Sequence, residues 1–305
     1  GTINNLYERR TLGYAGNLTY NYDSKYIVEF SYRLDGTSTT GSANPWSNLP
    51  SIGARWNFKN ENFAADWDFL DYGMIRGSWG KNIIPSGTIY DVYGRYTSDS
   101  QTYNNQPSVT LDQGVIPNIA LLPQTTTMLN GAIEFGFKNG ITFLYENYYK
   151  QSDQILRTKE IANINAFGKV NTNETSLVNM GHEFIIGYRP KKKGDFSYSL
   201  NLNGALNKDY AAALPDNVRQ LLLQDNSVYK QSILYRLGIN SLSNVLLHYN
   251  GVYKSDDEVP VNPLTGLRYR VGGNLSEERF FKAGDPIWTD LYGDYVLDNN
   301  DFVIV

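Results

Sequence analysis

Between positions 25 and 34 apolar and polar side chains alternate one by one. Tyr26, Val28, Phe30, Tyr32 and Leu34 share one face; Lys25, Ile27, Glu29, Ser31 and Arg33 share the other, with Ile27 the one apolar member. A period of two sends successive side chains to opposite sides of an extended chain, so the pattern predicts a β-strand with one apolar and one polar face. It recurs. Leu129, Gly131, Ile133, Phe135 and Phe137 oppose Asn130, Glu134 and Lys138. Phe196, Tyr198, Leu200, Leu202 and Leu206 oppose Ser197, Ser199, Asn201, Asn203 and Asn207. This last run has about the 9–11 residues with which a tilted strand crosses a bilayer. Looser alternation at 12–22, 52–58, 73–80, 141–150 and 178–189 gives eight candidate strands in all. Segment 211–224 is the stretch expected to form a short helix.

The connections are unequal. Asp23-Ser24, Lys138-Asn139-Gly140 and 190–194 are short, whereas 35–50, 81–125, 152–176 and the chain beyond Lys208 are long and rich in turn formers. In an antiparallel meander, alternate connections lie at opposite ends. One end is therefore expected to be trimmed and the other elaborated, as in a membrane barrel with short inner turns and long outer loops. A soluble β-sandwich or propeller also alternates in period two but does not predict that asymmetry.

Composition sharpens the choice. No apolar run approaches the roughly 18–20 residues of a membrane helix, but strands that alternate can span without one. Aromatics make up 14% of the chain, with 24 Tyr against 13 Phe and 5 Trp. Tyr suits an interface because its ring is buried while its hydroxyl stays wet. Tyr20, Tyr22 and Tyr26 gather at the first short turn, and Tyr145, Tyr148 and Tyr149 are expected at the far end of their strand. A formal charge of −4 argues against a nucleic-acid surface. With no Cys, disulfides and thiolate chemistry are excluded. The first ten residues lack an apolar signal-peptide core, so a secreted protein is expected to be represented by a mature form or a fragment.

Groups able to carry covalent chemistry are few. His182 and His248 are the two histidines, and G-x-S-x-G, P-loop and G-x-G-x-x-G motifs are absent. Lys191-Lys192-Lys193 reads as a solvated turn tip or a contact for lipid headgroups. In the stretch 290–301, Asp290, Asp294 and Asp301 occupy positions one, five and twelve of a calcium loop. Tyr292 and Tyr295 break that pattern at three and six. Two readings stand: a weak calcium loop, or an Asp/Asn-rich turn whose side chains bond to the backbone.

Several short motifs, in order, resemble those of SusC/RagA-type TonB-dependent outer-membrane transporters. Arg33-Leu34-Asp35-Gly36-Thr37-Ser38 resembles R-x-D-G-[ST]-S, and Leu49-Pro50-Ser51 with Trp56 is similar to a "PS…W" strand. Ile75-Arg76-Gly77-Ser78-Trp79-Gly80 resembles LR-x-S-[YW]-G, and Asn179-Met180-Gly181-His182-Glu183 resembles N-x-G-x-E. Gly284-Asp285-Pro286 through Asp301 is similar to an Asp-rich family segment, departing from it at Tyr292 and Tyr295. The resemblance implies an all-β fold: part of an antiparallel transmembrane barrel, 22-stranded in such transporters, with long extracellular loops. The chain, 1–305, is then expected to be a partial barrel, with signal peptide, N-terminal domain, plug and last strands lying elsewhere.

The function implied is TonB-dependent import of a bulky nutrient, an oligosaccharide or oligopeptide, across the bacterial outer membrane. The partners implied are a SusD-like surface lipoprotein, TonB through an N-terminal region, and outer-membrane lipid. No enzyme activity and no cofactor are expected, apart from the calcium reading. The signature residues Arg33, Asp35, Gly36, Ser38, Arg76, Gly80, Asn179, Gly181 and Glu183 are expected to be structural, as polar groups facing the interior or as turn residues. The Tyr/Asn-rich stretches 90–103 and 229–253 offer stacking faces suited to sugars or peptide backbones. The competing reading of the function is a SusC-like barrel that docks within a larger envelope assembly without moving solute.

Overall fold

A computed structural model describes residues 9–41, 45–85, 87–103, 106–161, 164, 166–190, 196–217, 220–224, 232–240, 245–272, 279–298 and 301–304. The chain divides into two compact units, 1–218 and 219–305.

The first unit is dominated by an eight-stranded antiparallel sheet. In chain order its strands are β1 (Thr11–Tyr22), β2 (Tyr26–Thr37), β3 (Trp46–Trp56) and β4 (Leu70–Ile84). A helix α1 (Ile89–Tyr93) and a hairpin of β5 (Tyr96–Tyr103) and β6 (Gln106–Leu111) then intervene. The sheet resumes with β7 (Gln124–Phe137), β8 (Ile141–Glu160), β9 (Lys169–Tyr188) and β10 (Leu200–Ala213). Strand order is β1-β2-β3-β4-β7-β8-β9-β10, so each strand pairs with its neighbour in the meander and β1 and β10 form the edges. The eight expected strands are all present in this sheet.

Register turns the sequence alternation into two faces. One row across the sheet reads Leu18, Phe30, Ile52, Trp79, Leu129, Tyr149, Met180 and Lys208. The adjacent row, one residue along each strand and so on the opposite face, reads Asn17, Ser31, Ser51, Gly80, Met128, Lys150, Asn179 and Asp209. The apolar face is open: Leu18 is 69% exposed and Leu202 62%. No second sheet covers it among the described residues, unlike the paired inner faces of a sandwich.

At the short-turn end this face carries a continuous run of rings. Trp56, Phe58, Phe63, Trp67, Phe69, Phe137, Phe135 and Phe143 contact one another at centroid distances from 5.6 to 6.5 Å. Two 3-10 turns in the link 57–69, Phe58–Asn60 and Asn62–Ala64, bring the outlying rings onto the belt. The first hairpin closes with Asp23 and Ser24 both in the left-handed region, the geometry of a type I′ turn that matches strand twist.

Several boundaries differ from expectation. The connection 35–50 shrinks to 38–45, because Gly36 pairs with Trp46. Residues 196–199 precede β10 instead of opening it, and the strand runs on to Ala213. The helix expected at 211–224 does not form in the described part. Ala211–Ala213 ends β10, Pro215–Asn217 is a 3-10 turn, and β11 (Gln220–Gln224) pairs with β12 (Ser232–Arg236). The proline and strand pairing override a weak local preference. Tyr145, Tyr148 and Tyr149 lie mid-strand, since β8 has 20 residues and projects with β9 past the rest of the sheet. Tyr148 moreover faces opposite to the other two. Lys191, Lys192 and Lys193 lie outside the described residues.

The second unit is made of short ladders. β13 (Val245–Leu247) pairs with β18 (Phe302–Ile304), and β14 (Tyr249–Val252) with β16 (Pro286–Trp288). β15 (Arg270–Val271) runs parallel to β17 (Val296–Leu297). Its core is Tyr253, Val259, Tyr269, Phe281 and Leu297, with Leu247, Val271, Ile287, Trp288 and Tyr295 packed against it.

Candidate functional site: the polar face of the sheet

Three rows of the polar face carry most of its chemistry. Below the row of Ser51 and Lys150 lies Thr19, Glu29, Gly53, Ser78, Asn130, Tyr148, Gly181 and Asn207; the next is Asn21, Ile27, Arg55, Arg76, Ala132, Glu146, Glu183 and Ala205. The charges in that third row are sorted. Arg55 and Arg76 are direct neighbours on β3 and β4, and Glu146 and Glu183 are neighbours on β8 and β9.

Between them, Ala132 of β7 is too short to intervene. Arg76 therefore reaches over it, and its Nη2 lies 2.6 Å from Oε2 of Glu146. Asn130 donates from Nδ2 to the other carboxylate oxygen. Such charge-assisted bonds are about twice as strong as neutral ones. Tyr148 repeats the device, lying over Gly181 of β9 to donate to Oδ1 of Asn207 on β10 at 3.0 Å. A Cβ on Gly181 would fall 2.4 Å from that Oδ1 and 3.0 Å from the Tyr148 ring. In contrast, Arg55, Glu29 and Glu183 make no ion pair or hydrogen bond among the described residues. An open depression of about 580 Å³ is lined in part by Glu29, Ser31, Ser51, Ser78, Lys81 and Lys150.

The remaining signature residues sit toward the elaborated end. Arg33 pairs with Asp35 at 2.9 Å and donates to Oδ1 of Asn82 on β4 at 3.1 Å. Gly36 leaves room for the Trp46 ring, which a Cβ would meet at 3.0 Å. Ser38 Oγ accepts from the Arg10 amide at 3.0 Å. Gly80 lets Ser51 close in, as a Cβ there would be 2.8 Å from the serine Cβ. Asn179 is exposed on the polar face beside Lys150 and Asp209. Arg76 and Glu183 are thus brought into one row, whereas Arg33, Asp35, Gly36 and Ser38 form a separate group. Glu146 and Arg55 were not singled out in the sequence, and Asn130 and Tyr148 only as a polar-face and an interface residue, because only the pairing of distant strands joins the four.

The long excursion 85–123 is tied down at this end. Asn171 on β9 donates to Asp91 at 2.8 Å, and Asn118 donates to the Asn171 carbonyl at 2.9 Å. Asn173 holds Leu122 through both its amide nitrogen (3.0 Å) and its oxygen (2.8 Å). The Gly41 amide donates to the Leu121 carbonyl at 2.8 Å.

In the second unit, Asp290 accepts from the amides of Tyr292, Gly293 and Tyr295, and Asp294 from Val296. The buried Asp301 accepts from Leu291 and Asp298. Burial raises its pKa above the ordinary carboxylate value despite those bonds. The three carboxylates are occupied by backbone N–H groups, as the turn reading expects. Among the described residues no group of three or more acidic or histidine side chains is placed to hold a metal. Tyr145 and Asn147 are the hydrogen-bond partners of His182, and Thr289 that of His248.

An open antiparallel meander with one apolar face, one charged face, a ring belt at the trimmed end and anchored loops at the other has the build of a membrane-barrel wall. Relatives agree. The chain is 30% identical over 210 residues to the TonB-dependent receptor SusC of Bacteroides thetaiotaomicron, covering 64% of this chain and 20% of that protein. It is 24% identical over 308 residues to the TonB-dependent receptor P3 of Formosa agariphila, covering 98% of this chain and 29% of that one. In fold it resembles a structure of the RagAB peptide importer in the 'open-open' state, with a TM-score of 0.73 and 17% identity, over 97% of this chain and 29% of that one. No family model matches. In sequence and in fold the chain matches part of the SusC/RagA-type TonB-dependent receptors. It spans less than a third of the length of these relatives.

Proposed function

We propose that this chain forms part of the wall of a 22-stranded importer, in which further strands pair with β1 and β10 and close the barrel. The apolar face meets lipid, and the Arg55–Glu183 face lines a water-filled interior. The elaborated end of the sheet is extracellular. The complete protein moves an oligosaccharide or oligopeptide inward, with a SusD-like lipoprotein at the extracellular end and energy from TonB through regions outside this chain. The observation that carries this reading is the separation of a mainly apolar from a mainly polar face across eight registered strands.

The absence of cysteine from this chain makes the test direct. Single cysteines at Leu18, Ile52, Leu129 and Leu202 in the full-length transporter in cells should resist a membrane-impermeant maleimide. Carrying a fluorophore, they should be quenched by nitroxide lipids. Cysteines at Ser51, Ser78 and Asn207 should show the reverse. Equal labelling of both sets would refute the orientation. Loss of growth on a single class of oligosaccharide or peptide, after deletion of the gene, would identify the cargo; no loss on any would favour a docking role.

A further inference from the structure

The apolar face carries a cluster of polar groups on β8–β10. There Asn147 and His182 pair with each other and with Leu206 in one row, and Lys208 stands in the next row beside Met180 and Tyr149. These polar groups are exposed, on a face whose neighbours include Leu202 and Leu206. Polar side chains on a lipid-facing surface are costly and mark a site with a partner.

The hydrogen bonds define what His182 offers. Asn147 Nδ2 donates to the Gly181 carbonyl at 3.1 Å, which fixes the orientation of its amide. The same nitrogen lies 3.1 Å from His182 Nδ1 and can only donate to it. Nδ1 is therefore an acceptor, also reached by the Tyr145 hydroxyl at 2.7 Å, and the ring proton resides on Nε2. That N–H makes no hydrogen bond among the described residues. Tyr145 stacks on the ring at 6.0 Å and 18°, holding its plane. Lys208 is the diagonal cross-strand neighbour of His182, at roughly 7–8 Å between backbones, well within the reach of a lysine. The site thus presents an oriented N–H and a flexible ammonium, with no carboxylate in either row.

We propose that His182 and Lys208 bind the phosphate of an anionic lipid on the outer surface of the barrel. Lys208 lies toward the elaborated end of the apolar face, where a long side chain reaches the headgroup layer. Leu206 and Leu202 lie below it and Met180 beside it, along the path of the acyl chains. A free phosphate would lack these apolar contacts, and an acidic protein segment would have no use for them. The inference rests on the membrane orientation proposed above.

The test uses the full-length transporter in detergent, analysed by native mass spectrometry after addition of phosphatidylglycerol, lipid A or phosphatidylcholine. Phosphatidylglycerol and lipid A should be retained at least fivefold more than phosphatidylcholine. The His182→Phe/Lys208→Gln variant should lose that preference; Lys150→Gln, on the opposite face, should keep it. An unchanged preference in the double variant, or none in the wild type, overturns the proposal. So does a photo-crosslinker at Leu206 that joins a protein and no lipid. The cysteine labelling above separates the two failures: shielded Leu129 and Leu202 without lipid selectivity sink this site alone, and labelled ones sink the orientation beneath it.

Discussion

Replacing Gly181 with alanine tests whether the polar face is held together by side chains that reach across a strand. The added Cβ would lie 2.4 Å from Asn207 Oδ1, 2.9 Å from the Leu206 carbonyl and 3.0 Å from Tyr148 Cε1. Two of those atoms belong to side chains that can swing away, at the loss of the Tyr148–Asn207 hydrogen bond, about 0.5–1.5 kcal/mol. The third is backbone, so β9 and β10 must also part slightly. Overpacking of this kind costs about 1–3 kcal/mol. The expected total is about 2–4 kcal/mol, read as a lower urea midpoint for unfolding of the full-length protein from lipid vesicles. Asn207→Ala removes both the closest atom and the hydrogen bond. In that background Gly181→Ala should cost about 1 kcal/mol less, the part assigned to the bond. An unchanged midpoint for Gly181→Ala, or strict additivity of the two changes, would show that Tyr148 does not lie across the glycine.

The Glu146→Ala variant leaves Arg76 and Asn130 without their shared acceptor. Arg76 keeps access to water, so the loss should be about 1–2 kcal/mol, and a double-mutant cycle with Arg76→Ala should show coupling of about 1 kcal/mol. Gly41→Ala puts a Cβ 1.8 Å from the Ile119 carbonyl; the excursion 85–123 should undock and become sensitive to limited proteolysis, with the urea midpoint of the sheet little changed. Burial raises the pKa of Asp301, so its protonated form is favoured by folding. Its contribution to stability is fully present below the unfolded value of about 3.9 and is lost as pH rises through the higher folded value. Hydrogen exchange at the Leu291 and Asp298 amides should accordingly quicken across that window in the wild type, and show no such step in Asp301→Asn.

Strand existence and facing were legible in the sequence because they depend on a local period. Alternation at 25–34 and 129–138 survives into the structure as the two faces of β2 and β7. Strand ends were less so. Trp46 reads as part of a turn-rich connection, yet pairs with Gly36 because the glycine leaves space for the indole, a fact about two strands jointly. The 20-residue lengths of β8 and β9 were likewise hidden, since beyond residue 150 both faces become polar and the period fades. The second unit gave the weakest signal. Its ladders are two to five residues long, below the length at which periodicity speaks, and its core joins Tyr253 to Leu297 through contacts no local pattern encodes.

The charged row shows why the site was harder to read than the fold. Arg76 belongs to a short motif, but its partner Glu146 lies 70 residues on and two strands away. What permits the pair is a third residue with no chemistry of its own, Ala132. Gly181 serves Tyr148 and Asn207 in the same manner. Small residues on this face act as gaps through which long polar side chains reach the next strand but one. A wide barrel needs that device, since its interior is water-filled and offers no packed core to hold the strands in register. Pairs that skip a strand resist sliding of three strands at once, where a ladder bond resists sliding of two. Glu29, Arg55 and Glu183 are left out of this lattice, and in the orientation proposed above they are charges that face whatever occupies the interior. Neutralising these three should leave the urea midpoint within about 0.5 kcal/mol per site, whereas neutralising Arg76 or Glu146 should not.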